Sequence, residues 1–187
     1  GRNIEIINHI YNEQNMISKE VNEPYSNNEG FTLSDGSISI LLENKKDALK
    51  RGAHVYAKVS GYGMAHKSSP FNTIKGTSKA LISAINDALR DAKVCASDID
   101  AVVGFANGDK TIDAEEFDAL NSIFANGLNT LPIINLKDSL GECRSATAAL
   151  GVCHAALLLS NKLEETNAFV NSKKTKVSAS KLNKILV

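Results

Sequence analysis

Between residues 77 and 187 the spacing of apolar residues changes period several times, and this limits what the chain can fold into. From Thr77 to Val94, residues Leu81, Ile85, Ala88, Leu89 and Ala92 recur at three- and four-residue steps, which places them on one helix face. Ser97-Asp98 makes a turn, and Ile99 to Ala106 is an apolar run of strand type. Asp113 to Ala125 is helical again, with Phe117, Leu120 and Phe124 on one side. Leu131 to Leu136 is a second strand, and Glu142 to Lys162 a long Ala- and Leu-rich helix that should be largely buried. A final hairpin opens near Val170, and Leu182 to Val187 is the last strand. Strands that alternate with helices need a sheet covered by helices, so the expected class is α/β.

The first part of the chain is less regular. Residues 1–29 are polar and rich in Asn and Glu, with a short apolar piece at Ile4 to Tyr11. They are expected to form an irregular connecting segment with about one helical turn. Residues 38–42 should form a buried strand, followed by a helix from Lys45 to Arg51 that Gly52 stops. His54 to Gly63 alternates like a strand, and a loop with Ser68, Ser69 and Pro70 follows. The expected division is a connecting segment 1–29 and one folded unit 30–187.

Composition bounds the function. The 187 residues suffice for one hydrophobic core, and 21 basic against 21 acidic residues leave no surplus to attract nucleic acid. The longest apolar run, around Ala155 to Leu159, is too short to span a bilayer, and no signal peptide is visible. Cys95, Cys143 and Cys153 are odd in number and lack metal-type spacing, which points to a reduced, cytoplasmic protein. Cys95 and Cys153 read as small buried hydrophobes. The chain starts at Gly1 and stops at Lys184-Ile185-Leu186-Val187, which reads like a strand cut short. The expectation is a part of a larger polypeptide or one product of its cleavage.

Some local patterns carry little chemistry. Asn107 to Phe117 imitates a calcium loop, with Thr111, Ile112, Asp113 and Glu116 at ligand-like positions. Its first ligand would be Phe105 and its turn glycine Lys110, neither of which serves, so calcium is disfavoured. Gly61-Tyr62-Gly63 lacks a third glycine and a following helix start, so it reads as a tight turn rather than a phosphate loop. His154, within the Ala/Leu helix, reads as a hydrogen-bonded packing residue and His66 as solvated. His9 and His54 have no ligand cluster beside them. Lys173-Lys174-Thr175-Lys176 reads as a solvated charge run, with contact to an acidic carrier protein as the lesser alternative.

Several motifs, in order and at matching intervals, resemble the C-terminal half of a β-ketoacyl synthase. Pro24-Tyr25 with Glu29-Gly30-Phe31-Thr32-Leu33-Ser34-Asp35-Gly36 is similar to that family's Pro-Phe-Asp and Gly-Phe-Val-x-x-Glu-Gly. Ala48-Leu49-Lys50-Arg51-Gly52-Ala53, then Val59-Ser60-Gly61-Tyr62-Gly63, resembles its passage from helix to strand. Ala88 to Ala92 and Asp98-Ile99-Asp100 resemble the approach to its first histidine motif. Ala106-Asn107-Gly108-Asp109 stands where the family has Ala-His-Gly-Thr, and Lys137-Asp138-Ser139-Leu140-Gly141-Glu142 where it has Lys-x-x-x-Gly-His. The resemblance covers nearly everything after residue 24. It implies the C-terminal half of a thiolase-like, layered αβαβα fold, incomplete at both ends, with a mixed sheet covered by helices. The family's nucleophilic cysteine belongs to the other half.

The resemblance also implies altered chemistry. Asn107 and Glu142 take the positions of the family's two histidines, and Lys137 matches its lysine. Asparagine can donate a hydrogen bond but cannot exchange a proton, and an ionised glutamate repels a developing enolate or oxyanion. Lys137 and Glu142 should form an ion pair. No catalytic residue, cofactor or metal is therefore expected of this chain. Gly141 to Ala149 resembles chain-length factors, the non-condensing partners in type II polyketide systems. That implies a heterodimer with a catalytic ketosynthase, a missing N-terminal half, transient contact with an acyl carrier protein, and no nucleic acid or membrane. The alternatives are a divergent active synthase and a structural or regulatory thiolase-like protein without an acyl tunnel.

Overall fold

A computed structural model of the chain describes residues 5–18, 23–25, 29–68 and 76–187. A short mixed sheet organises it. Strand β1 (Ala101–Val103) lies within the run read as Ile99 to Ala106, and β2 (Ile133–Ile134) within the run Leu131 to Leu136. These two pair in parallel, Val102 opposite Ile133. A hairpin of β3 (Glu165–Val170) and β4 (Lys173–Ser178) adds antiparallel strands beyond β2, and β5 (Ile185–Leu186) runs parallel to β1 on the other side. The order is β4-β3-β2-β1-β5. Val170 ends the first hairpin strand rather than opening the hairpin.

Helices cover both faces. Alternation along β1 and β2 sends Val102 and Ile133 one way and Ala101 and Ile134 the other. On the first face, Val102 and Ile133 meet Ile85 and Leu89 of α3 (Ser78–Ala92) and Leu120 of α4 (Lys110–Phe124). On the second, Ala101 and Ile134 meet Leu158 of α6 (Thr147–Leu159). Fully burying each Leu or Ile is worth about 1.5–3 kcal/mol, so these two clusters dominate the stabilising side. Leu120 is buried as expected, but Phe117 is exposed, because Asp113, Glu116 and Leu120 form the inward row of α4.

Several elements differ from the sequence reading. Glu5–Glu13 forms a nine-residue helix, α1, rather than a single turn. Helix α2 (Lys45–Lys50) ends as expected, with Gly52 at φ +73°. The chain at 38–42 is neither buried nor a strand: Leu41 and Leu42 are 77% and 73% exposed. The stretch 54–63 likewise belongs to no ladder. A strand is a state of pairing, and no neighbour pairs with either stretch among the described residues. Of the loop expected around Ser68, Ser69 and Pro70 lie outside the described residues.

Gly61-Tyr62-Gly63 is not a turn. It lies against helix α3, with Tyr62 N donating to Asp91 Oδ2 at 3.0 Å. A Cβ on Gly61 would stand 2.3 Å from Ala88 O, and one on Gly63 1.9 Å from Ala84 O. Glycine is there for close backbone approach. Cys95 is exposed and Cys153 half-buried, whereas Cys143 is buried. Cys95 precedes the 3₁₀ turn Ala96–Asp98 at the surface, where its amide, not its thiol, is held by Asp98.

Candidate functional site

The parallel strands β1 and β2 release their chains at the same end of the sheet. Beyond β1 come Phe105, Ala106 and Asn107, and beyond β2 come Asn135, Lys137 and Glu142. Asn135 Nδ2 donates to Ala106 O at 2.7 Å, and Lys137 Nζ donates to Phe105 O, so the two loops are tied together. A third segment joins them. Glu142 N donates to Thr32 O at 2.7 Å, and Ser34 N to Glu142 O at 3.1 Å. The segments 30–36, 106–109 and 137–142, separated in sequence, thus meet at one place.

Lys137 is the charged centre. It lies in the short helix α5 (Lys137–Leu140), and its Nζ stands 3.1 Å from Glu142 Oε2, with side-chain exposures of 3% and 8%. The Phe105 ring caps the ammonium, its centroid 3.6 Å away. Burial lowers the Lys137 pKa, and the Glu142 carboxylate pulls the other way. Glu142 Oε1 accepts from Arg144 N and from Thr147 Oγ1, both at 2.6 Å. Glu142 does not open the long helix as expected. That helix, α6, begins five residues later, because the carboxylate serves a 3₁₀ turn, Arg144–Ala146, that leads into it.

Asn107 is buried, and its own side chain closes a local turn, Oδ1 accepting from Asp109 N at 3.1 Å. Asp109 in turn caps α4, accepting from Thr111 N and Ile112 N. That cap starts the helix at Lys110, three residues before the expected start.

Asp113 and Glu116, which the sequence placed in the calcium-like pattern, set the Asn107 loop. Asp113 Oδ1 accepts from Asn107 N and Gly108 N, and its Oδ2 from Tyr25 N at 2.6 Å. Glu116 accepts from Phe105 N, from Ala106 N at 2.8 Å and from Tyr25 Oη at 2.7 Å. Burial raises the Asp113 pKa, while the amides it accepts from pull it down. Burial also raises the Tyr25 phenol, and the neighbouring Glu116 adds to the effect. Gly104 makes room, since a Cβ there would stand 3.0 Å from Tyr25 Oη. The clue in sequence was the spacing: Asp113, Glu116 and Leu120 fall on one face at steps of three and four. Carboxylates holding amide donors are spent as acceptors, which accounts for their calcium-like pattern.

The other singled-out residues lie elsewhere. His154 Nε2 contacts Thr166 Oγ1 at 2.8 Å, and burial lowers its pKa, as expected of a packing residue. His66 is exposed, and His54 packs edge-on against Tyr56. Within the lysine run, Lys174 pairs with Asp138 at 2.7 Å and Lys176 with Glu165.

The family described as "Beta-ketoacyl synthase, C-terminal domain" matches residues 56–170. The chain belongs to the β-ketoacyl synthase family. Over 148 residues it is 28% identical to a mitochondrial 3-oxoacyl-[acyl-carrier-protein] synthase of Arabidopsis thaliana, covering 78% of this chain and 32% of that one. Over 133 residues it is 26% identical to the ketoacyl synthase alpha subunit of the tetracenomycin polyketide synthase of Streptomyces glaucescens, covering 71% and 31%. The ishigamide ketosynthase/chain length factor superposes with a TM-score of 0.76 at 24% identity, covering 86% of this chain and 39% of that one. The fold is therefore thiolase-like, as expected. This β-ketoacyl synthase domain spans about a third of the length of the curated relatives it matches. No helix among its described residues is long and apolar enough to cross a membrane.

Proposed function

We propose that residues 30–187 are the C-terminal half-domain of a non-condensing ketosynthase-like subunit, a chain-length factor. It pairs with a catalytic ketosynthase, contacts an acyl carrier protein transiently and shapes the tunnel that holds a carrier-bound polyketide chain. The buried Lys137–Glu142 ion pair carries this reading. On the resemblance, Glu142 stands where the family's second histidine would act, and its carboxylate is spent on Lys137, Arg144 N and Thr147. A buried anion at that place opposes the negative charge that decarboxylative condensation develops. The Asn107 side-chain oxygen is likewise turned into its own loop. The condensation is then the partner's work, and this subunit supplies interface, stability and the tunnel floor. The pairing of ketosynthase with chain-length factor in the ishigamide structure supports the kind of partner.

The test is carbon dioxide release from a malonyl-carrier protein. The chain should release none above background, because Asn107 and Glu142 supply no imidazole to stabilise the enolate that loss of carbon dioxide leaves. Turnover at the rate of a working synthase by the unaltered chain would sink the reading.

A further inference from the structure

Just beyond the ion pair stands a cation with no counter-charge among the described residues. Arg144 opens the 3₁₀ turn Arg144–Ala146. The residue as a whole is half-buried, yet Nη1 and Nη2 are both buried, and neither has a hydrogen-bond partner among the described residues. Its exposed area therefore lies on the rest of the residue. Long cationic side chains ordinarily do the reverse, burying the stem and keeping the head in water. Glu142 does not serve this head, being committed to Lys137, Thr147 and the Arg144 backbone amide. The ion pairs among the described residues do not include Arg144. The backbone holds the residue at φ +54°, in the left-handed region, at a cost of about 1–3 kcal/mol. The bond from Arg144 N to Glu142 pins that conformation.

A guanidinium cannot relieve burial by losing its proton, as a lysine can. An unpaired buried ion costs several kcal/mol, so the charge needs an anion that the described residues do not supply. Two unengaged nitrogens on one planar fork match the two oxygens of a carboxylate or phosphate. Helix α6, of 13 residues, begins three residues later, and the positive end of its dipole favours the same sign.

We propose that Arg144 anchors an oxyanion site, which takes one small carboxylate or phosphate group bidentately through Nη1 and Nη2. The site does not depend on the chain-length-factor reading and can fail separately from it.

The test titrates the full 187-residue chain with sodium acetate and, separately, with sodium phosphate. Chloride holds the ionic strength constant, and thermal unfolding and calorimetry are the readouts. One of the two anions should raise the unfolding temperature saturably and bind one to one. Acetate binding more tightly assigns a carboxylate, and phosphate binding more tightly assigns a phosphate. Arg144→Met should weaken that binding by about tenfold or more, the loss of a charge-assisted bond. Arg144→Lys, which keeps the charge but not the fork, should fall between. The proposal is overturned if neither anion stabilises the unaltered chain beyond chloride. It is equally overturned if Arg144→Met or Arg144→Lys binds the anion as tightly as the unaltered chain.

Discussion

At Lys137 an ammonium group with 3% side-chain exposure must be neutralised locally, and Glu142 is the group that does it. Removing one member of a buried pair leaves the other uncompensated. Lys137→Met should therefore cost about 3–5 kcal/mol, while Lys137→Met/Glu142→Gln should cost less than that single change. Denaturant unfolding of both variants at one protein concentration checks this, and equal losses would contradict the pairing. His154 gives a pH signature. Burial lowers its folded pKa beneath the ordinary 6.5, so the folded state prefers the neutral ring held by Thr166. Its contribution is whole above pH 6.5 and is lost as pH falls through the lowered folded value, because only the unfolded chain takes up the proton in that window. Unfolding temperature followed from pH 7.5 to pH 5 should fall less steeply in His154→Gln, the pH range being about that of histidine titration. An identical slope would remove His154 from the account.

Among the elements, α4 does most to arrange the site. One row of this helix packs Leu120 into the core and turns Asp113 and Glu116 toward the chain leaving β1. Packing and loop geometry are thus set by the same helix rotation, which a propensity argument cannot reveal. Helix α3 offers a different lesson. Its stripe of Ala84, Ala88 and Ala92 receives the segment through Gly61 and Gly63. Gly63→Ala puts a methyl group 1.9 Å from Ala84 O, against backbone that cannot swing aside. The expected cost is about 1–3 kcal/mol, with amide exchange at Tyr62 accelerated as the segment lifts from α3. Unchanged exchange and stability would show that the contact contributes nothing.

Taken whole, the molecule hides two well-packed clusters and leaves several large apolar side chains exposed. Leu41, Leu42, Val59, Tyr62 and Met64 are exposed on chain that belongs to no ladder among the described residues. Apolar chain that belongs to no ladder is a surface for association with another chain. The isolated chain should self-associate, and light scattering coupled to size-exclusion chromatography should find a mass above 20.0 kDa. Adding the N-terminal half of a ketosynthase-like fold should suppress that association. A stable monomer on its own would contradict both expectations.

The α/β class, helices α3 and α4, the sites of β1, β2 and β5, and the Lys137–Glu142 pair were legible in the sequence. Each rests on local periodicity, on one pair of opposite charges close in the chain, or on motif order. What was not legible depends on partners remote in sequence. Residues 38–42 and 54–63 have strand-like patterns, yet pairing requires a neighbour, and none lies beside them among the described residues. Phe117 faces out because Asp113 and Glu116 claim the inward row for amides that come from elsewhere. Tyr25 reaches its carboxylates across 88 and 91 residues of chain. Arg144 turns its charge inward through one left-handed residue beside Glu142. Sequence spacing sets which face of a helix or strand a residue occupies, but only the tertiary structure decides what that face meets, because hydrogen-bond and charge partners are chosen by contact in space.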